Sequence, residues 1–600
     1  VILALARFAA WELAAFAASW RLARWLIGKR PAVEFWMAVL AIEVALEASV
    51  ATVFSFAHAN SPAAYWAVAA VLAAAGLRPA RPKLGRAGWT AAILAALAVP
   101  VILTGFRPVE EIDSVNYLHY LIDWMGNRGN PYEYANYYIP FFELSFLPSW
   151  VVTRVDWFFP LMALKPVVLT GMGAWLVGRE LEIPETLLAW TVAGVLAMRH
   201  YWLEYAGAAT LKPDALAGAG FVLLALVVLR ASRRPLERAD LTLAALGLAF
   251  VMVKFLGVFT GAAAVAAILW LTRRQAGFAW RTAAIGAVAL ATTGHYYLQH
   301  WLRFGNPFYP YTLNLGPIHL PGEGVVAGTS ILDSLGDPRL WRALFLPAGG
   351  LSPLGVLFPE ILAGTLLVCL WRLRRSDWLA ALILVSYLLY FRSIYSASFS
   401  AGDLGLILNS LNSLRYVEGV LAVSEVYLVW MLGRYAWPLV AVNLASRLFL
   451  IYGRLPQDLW MPAAVAAAAA VTVLLVRRAW PVAVAALVLG TPFAVERNRA
   501  HWTEYWNDLK PSLAAVRGPE LGCFAMNEAA YWAGHIVAAG NPVHPEVRAY
   551  LPEDLDLSRP RYLAVLVMPG FDWRGHYGAR LAALGYRVRK EGVHGALLEK

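Results

Sequence analysis

The sequence predicts an α-helical polytopic membrane protein of about 15–16 transmembrane helices followed by a small C-terminal α/β soluble domain. Three observations carry this. Of the 600 residues, 60% are apolar and only 15% are charged, where an ordinary soluble domain has about a quarter charged. The apolar residues fall in blocks of roughly 15–23, the length that crosses a ~30 Å hydrocarbon core. After Val495 charge, Gly and Pro return at ordinary soluble density.

The clearest blocks contain Phe221–Leu229, Gly261–Leu271, Ile361–Leu370 and Ala463–Val476. Residues 240–272 read either as one broken helix or as two helices. Short loops rich in Lys and Arg punctuate the blocks: Arg21–Arg30, Arg78–Arg86, Arg230–Arg238, Arg273–Arg281, Arg372–Arg375 and Arg477–Arg478. A consistent alternation of spans places all of them on one side, which the positive-inside rule makes the cytoplasm. The long loops Arg107–Asp156, Tyr296–Pro347 and Arg392–Asn412 then fall on the other side, with acids such as Asp123, Glu133, Glu143, Asp333 and Asp403. Val1–Leu26 carries Arg7, Glu12, Arg21 and Arg24 and lacks a small-residue cleavage site, so no cleavable signal peptide is expected. No internal repeat is legible.

In the tail, Leu521–Asn527, Tyr562–Met568 and Tyr586–Lys590 read as strands. Trp502–Val516, Asn527–Ala539 and Gly575–Leu584 read as helices. Their alternation predicts an α/β unit, on the non-cytoplasmic face.

The net charge of +11 sits mainly in loops between apolar blocks. It reports orientation, and no basic stripe with interleaved aromatics points to nucleic acid. Of the two cysteines, Cys369 lies in an apolar span and Cys523 in the tail. Neither a disulfide nor a metal cluster is expected.

Charged residues at the external ends of spans are the candidates for chemistry. Glu110, Glu111 and Asp113 follow directly on a span. They suit a general base, a metal ligand or a cation site, and equally a solvated acidic cap. In Lys212-Pro213-Asp214 the Pro and Asp suit a helix start, while Lys212 is a cation at an external mouth. Lys254, in Val251-Met-Val-Lys-Phe-Leu-Gly257, either contacts an anion or snorkels to the interface. Arg303-Phe-Gly-Asn-Pro-Phe-Tyr-Pro-Tyr311 marks a turn in the interfacial aromatic belt. Arg415 suits a phosphate or pairs with Glu418 at i+3. All five stretches fall on the external side. Acids from one loop and cations from later ones would suit a lipid-linked phosphate sugar.

These residues resemble the GT-C superfamily of polytopic glycosyltransferases that use polyprenyl-phosphate-linked sugars, including protein O-mannosyltransferases and lipid A aminoarabinose transferases. The resemblance rests on Glu110-Glu111-Ile-Asp113, Lys212-Pro-Asp214, Lys254-Phe-Leu-Gly257, and Gly305-Asn-Pro-Phe-Tyr-Pro310 ahead of Arg415-Tyr416. It implies a catalytic core over 88–495 with long external loops 107–156 and 296–347. Residues 1–87 become an N-terminal transmembrane extension, and 496–600 a periplasmic α/β domain. It further implies an inverting transfer at the periplasmic face of a bacterial inner membrane, with Asp113 as general base. Glu110, Glu111, Lys212, Asp214, Lys254, Arg303, Arg415 and Glu418 would bind substrate. The donor would be a polyprenyl-phosphate sugar, and the acceptor a hydroxyl of a lipid, glycan or protein. A clear Asp-x-Asp pattern is lacking, so a divalent metal stays open.

Two other classes fit a polytopic chain with charged mouths. A transporter or flippase for a lipid-linked or anionic substrate would place charges near the membrane midplane, whereas the charges singled out here lie near one face. A silent scaffold of the same fold would have Asp113 turned away from any cavity.

Overall fold

A computed structural model describes residues 2–76, 121, 124, 126–127, 130–134, 139–155, 158–198, 201, 212–309, 311–315, 318–322, 330–338, 358–393, 417–452, 460–475, 521–525, 549–550, 560–566, 572–592 and 595–600. The chain begins with helices α1 (Ile2–Ile27), α2 (Ala32–Phe56), α3 (Pro62–Gly76), α4 (Pro131–Tyr134), α5 (Phe141–Thr153), α6 (Phe159–Glu180) and α7 (Glu185–Leu196). It continues through α8 (Asp214–Ala231), α9 (Arg238–Val251), α10 (Phe255–Thr272), α11 (Phe278–Ala289) and α12 (His295–Phe304). The remaining membrane-region helices are α13 (Phe358–Leu373), α14 (Trp378–Arg392), α15 (Glu418–Leu432), α16 (Trp437–Tyr452) and α17 (Trp460–Leu475). Six described spans are long and apolar enough to cross a membrane, and shorter apolar helices accompany them.

Helix α8 is the axis of the bundle. Every residue in it except Ala217 is buried. It packs against α6, α9, α10, α14 and α15. Small residues allow the approach: a Cβ added to Gly220 would stand 2.5 Å from the Val251 backbone nitrogen, and one on Gly218 would stand 3.2 Å from that of Gly419. Close backbone packing of this kind is how helices associate where no water drives them together.

The two ends of α8 do different work. At its C-terminus Arg230 donates to Glu180 Oε1 at 2.6 Å, to both Glu34 oxygens at 2.8 and 3.0 Å, and to Asp240 Oδ1 at 2.9 Å. Arg234 also binds Asp240, and Asp240 closes a capping box with Glu237 at the start of α9. Arg30 reaches Glu237 from the α1–α2 turn. The basic loops Arg21–Arg30 and Arg230–Arg238 therefore meet at one end, as the alternation of spans requires.

Residues 240–272 are two helices, not one. The chain breaks at Met252–Lys254 and reverses, so that Gly261 of α10 lies against Leu248 of α9. Tyr297 satisfies the freed Met252 carbonyl, its hydroxyl donating at 2.6 Å. A π-turn, Leu290–Gly294, joins α11 to α12.

A second charged group lies deep in the bundle. Lys165 of α6 stands 2.8 Å from Glu12 of α1, and 3.0 and 2.8 Å from Glu43 and Glu47 of α2. Trp11 Nε1 donates to Glu47 at 3.2 Å. Glu12 is roughly 15 Å along α1 from its first residue at ~1.5 Å per residue, close to half the hydrocarbon thickness. Arg447 of α16 is likewise buried against Glu425 of α15 and donates to the Gly194 carbonyl at 2.7 Å. The expectation that charges lie near one face is corrected here: some are internal, each acid facing a cation from another helix. They also bind the N-terminal helices to the core.

The C-terminal unit holds a five-stranded sheet ordered β4-β3-β5-β7-β6, with β3 (Leu521–Ala525), β4 (Ala549–Tyr550), β5 (Tyr562–Leu566), β6 (Arg587–Gly592) and β7 (Gly595–Glu599). A two-stranded hairpin, β1 (Leu313–Leu315) and β2 (Ile318–Leu320), precedes them in the chain. Strands β4, β3 and β5 are parallel, and β7 runs antiparallel to β5 and β6. Leu563, Val565, Ala596 and Leu598 form a small core with Trp573, Leu581 and Tyr586 on one face, Leu581 coming from helix α18 (Ala579–Ala583). Ala564 and Leu597, on the other face, join the main core. The expected helices Trp502–Val516 and Asn527–Ala539 lie outside the described residues.

Candidate functional site

The site is built at the opposite end of α8 from Arg230. Pro213 occupies the cap position of α8 and Asp214 its first turn. Its position puts Lys212 just before the helix, where it is 1% exposed. Lys254 sits in extended backbone at the start of α10, the natural consequence of the α9–α10 reversal. Its Nζ stands 3.4 Å from Asp214 Oδ1, and its side chain is 18% exposed against 0% for Asp214. A narrow cavity lies beside this pair, lined also by Gly218, Phe221, Gly257 and Gly419. Glu418 opens α15 on the far side of Gly218 and is fully buried. Thus Lys212, Asp214, Lys254 and Glu418 gather where three helices begin.

Arg303 is not part of this gathering. It is exposed and lies over the Phe304 ring at 5.0 Å, in the last turn of α12. The turn that follows does what its composition predicts. Gly305 takes a left-handed φ of 68° to end the helix. Buried Asn306 donates to the Tyr311 and Pro321 carbonyls at 2.7 and 2.8 Å. Phe308 stacks on Phe259 and meets Phe255 edge-on, tying the turn to the first turns of α10. Asp113, Glu110, Glu111 and Arg415 lie outside the described residues.

Glu143 belongs to this end of the molecule and was not singled out from sequence. It stands in the first turn of α5, is 0% exposed, and neither carboxylate oxygen has a hydrogen-bond partner among the described residues. Lys254 and Asp214 are within electrostatic reach of it. In sequence it is one acid among several in a long loop. The available signal was its setting, Pro-Phe-Phe-Glu-Leu-Ser-Phe-Leu, an acid inside an apolar helical run.

Among the described residues, Glu12, Glu43 and Glu47 are the acids close enough to share a cation, with oxygens within 4.8 Å of one another. The Lys165 ammonium already fills that role. Asp214, Glu143 and Glu418 at the α8 end form no such group among the described residues.

Taken together, fold and site define a multi-pass membrane protein with a charged pocket at one end of a buried central helix and a small α/β domain after the bundle. Its fold is similar to that of a solved membrane-protein structure. The crystal structure of ArnT from Cupriavidus metallidurans in the apo state matches over 85% of this chain and 98% of its own, at 16% identity and a TM-score of 0.53. ArnT bound to undecaprenyl phosphate matches over 86% and 98%, at 15% identity and a TM-score of 0.49. Arabinosyltransferase EmbB from Mycobacterium smegmatis is more distant, at 14% identity and a TM-score of 0.33 over 76% of this chain and 46% of that one. No family model and no curated sequence matches the chain. At these identities the shared property is the fold.

Proposed function

We propose that the protein is an inverting glycosyltransferase that moves a sugar from a polyprenyl-phosphate donor to an acceptor hydroxyl at the periplasmic face of a bacterial inner membrane. The observation that carries this reading is the ion pair of Lys254 with Asp214 at the head of α8, with Lys212 buried two residues before Asp214, in a fold similar to that of ArnT.

The chemistry follows from the charges. The acceptor oxygen attacks the anomeric carbon from the face opposite the phosphate. Asp113 takes the hydroxyl proton, and the bond from the anomeric carbon to the phosphate oxygen breaks. Polyprenyl phosphate leaves with the bonding electrons. Lys212 and Lys254 supply positive charge for the phosphate as its own charge grows, and fixed charge in a water-poor site is worth more than in water. Asp214 holds Lys254 in place. The acceptor is a lipid, a glycan or a protein. The C-terminal α/β domain then stands on the periplasmic side.

A transporter reading has one specific observation in its favour, the deep Glu12, Glu43, Glu47 and Lys165 group. The two are separated by turnover. Purified protein is incubated with undecaprenyl-phosphate monosaccharides, and release of undecaprenyl phosphate is followed by mass spectrometry. Release that is lost in Asp113→Asn, with donor still bound, supports the transferase. Binding without release by the wild type, together with movement of the lipid between leaflets of a proteoliposome, supports the transporter.

A further inference from the structure

Glu143 poses a physical problem that the phosphate chemistry does not solve. A buried carboxyl with no hydrogen bond loses its hydration and gains nothing in return. Groups of this kind in a folded protein call for an explanation. The start of α5 offers a favourable field, but Pro140 caps that helix and no side-chain cap bond forms. Lys254 is nearby, yet its ion pair at 3.4 Å is with Asp214. Both Glu143 oxygens remain acceptors without donors among the described residues.

The surroundings indicate what would supply the donors. Tyr296, at the start of α12, is fully buried and within electrostatic reach of Glu143. Its ring meets Tyr132 edge-on at 5.5 Å, and the Tyr132 hydroxyl is 3.1 Å from His295 Nδ1. Tyr132 is only half-buried. Phe56 meets the Tyr132 ring at 4.5 Å. Lys254 and Asp214 line the cavity at the head of α8, and Glu143, within electrostatic reach of both, is a carboxyl awaiting donors with aromatic rings near it. A phosphate suits the first part. A polyol or amino sugar, which presents O–H or N–H donors on one edge and apolar C–H groups on its faces, suits the second.

We infer that Glu143 is a sugar-binding, specificity-determining residue that accepts hydrogen bonds from the hydroxyl or amino groups of the transferred sugar. This deepens the glycosyltransferase reading and rests on it. The sugar's donors complete the carboxyl's hydrogen bonds on binding, so the glycosylated lipid binds more tightly than the bare lipid phosphate. A sugar lacking the matching donor leaves the carboxyl unpaired and is rejected, since a buried polar group left without a partner discriminates strongly.

The test compares affinities of the full-length protein in detergent for undecaprenyl phosphate and for a panel of undecaprenyl-phosphate sugars: a neutral hexose, an N-acetylhexosamine, a uronic acid and an amino pentose. Wild type, Glu143→Gln and Glu143→Leu are measured, with thermal unfolding as a check on folding. The expected result is that the wild type prefers one glycosylated lipid over undecaprenyl phosphate by roughly tenfold or more. That preference disappears in Glu143→Leu and is weakened in Glu143→Gln, while affinity for undecaprenyl phosphate is unchanged in both. If Glu143→Leu keeps the wild-type preference, or the wild type prefers no panel member over the bare phosphate, the role of Glu143 is overturned and the donor reading stands. If the wild type binds neither undecaprenyl phosphate nor any panel member, the donor reading itself is overturned. If Glu143→Leu unfolds, the result from Glu143→Gln decides, since it keeps size and removes charge: an unaltered preference there overturns the role.

Discussion

Lys254 Nζ lies 3.4 Å from Asp214 Oδ1 across the mouth of two helices that begin side by side, α10 and α8. The ammonium remains partly exposed and the carboxylate does not, so Asp214 can hold Lys254 while its outer side faces a ligand. Replacing Lys254 by Met removes that charge. Transfer should fall about 10²-fold or more, as when one charge-stabilising donor is lost elsewhere, with Lys254→Arg recovering part of it. Initial rates of undecaprenyl-phosphate release check this.

Arg230 performs a structural task at the other end of α8, with Glu34, Glu180 and Asp240 around it. Arg230→Ala leaves buried carboxylates without their cation and should cost about 3 kcal/mol or more. The loss should appear as a lower melting temperature in detergent, while relative affinities for different donors stay as in the wild type.

Lys165 makes a sharper case because three carboxylates depend on it. Lys165→Met should destabilise the protein by about 3–5 kcal/mol. Adding Glu12→Gln, Glu43→Gln and Glu47→Gln to Lys165→Met should restore much of that stability, because the uncompensated charges are gone. Thermal or denaturant unfolding of the single, triple and quadruple variants gives the coupling directly.

In the segment after β2, the Ser330 hydroxyl bond and, secondarily, the Arg392 guanidinium hold the Asp333 carboxyl below its ordinary range. A carboxyl with a lowered folded-state pKa contributes stability above its unfolded value, near 3.9. That contribution is lost as pH falls through the lower folded value. Hydrogen exchange of residues 330–338 should therefore be steady down to about pH 4 and rise only in stronger acid. In Asp333→Asn it should be raised at neutral pH as well.

Much of the bundle was legible in the sequence because hydrophobic length and Lys/Arg placement are local, additive signals. Arg30, Arg230 and Arg234 do gather at one end, and Lys212, Asp214, Lys254 and Glu418 at the other. What composition could not convey was pairing across helices. Glu43 and Glu47 share a helix face, but only the approach of Lys165, more than a hundred residues away in the chain, makes that face an ionic junction. Glu143 was hidden for the same reason, the charges within its electrostatic reach lying in the first turn of α8 and at the start of α10. In the tail, β3, β5 and β6 fall in the three stretches read as strands, β3 and β5 on their apolar residues. Strand β7, Gly-Ala-Leu-Leu-Glu, was not among them, since those residues favour helices and become a strand through pairing with β5 and β6 on either side. The break at Met252–Lys254 was visible as an ambiguity, and the glycines at 257 and 261 that let α10 fold back on α9 decided it.

The most direct test of the account is to identify the lipid that the protein retains. Wild type and the Lys212→Ala/Lys254→Ala double variant are purified in mild detergent, and bound lipids are analysed by mass spectrometry. The account predicts a polyprenyl phosphate or its glycosylated form in the wild type, reduced at least tenfold in the double variant, with bulk phospholipid unchanged. Bulk phospholipid alone in the wild type, with no binding of added undecaprenyl phosphate or its sugars, would contradict it.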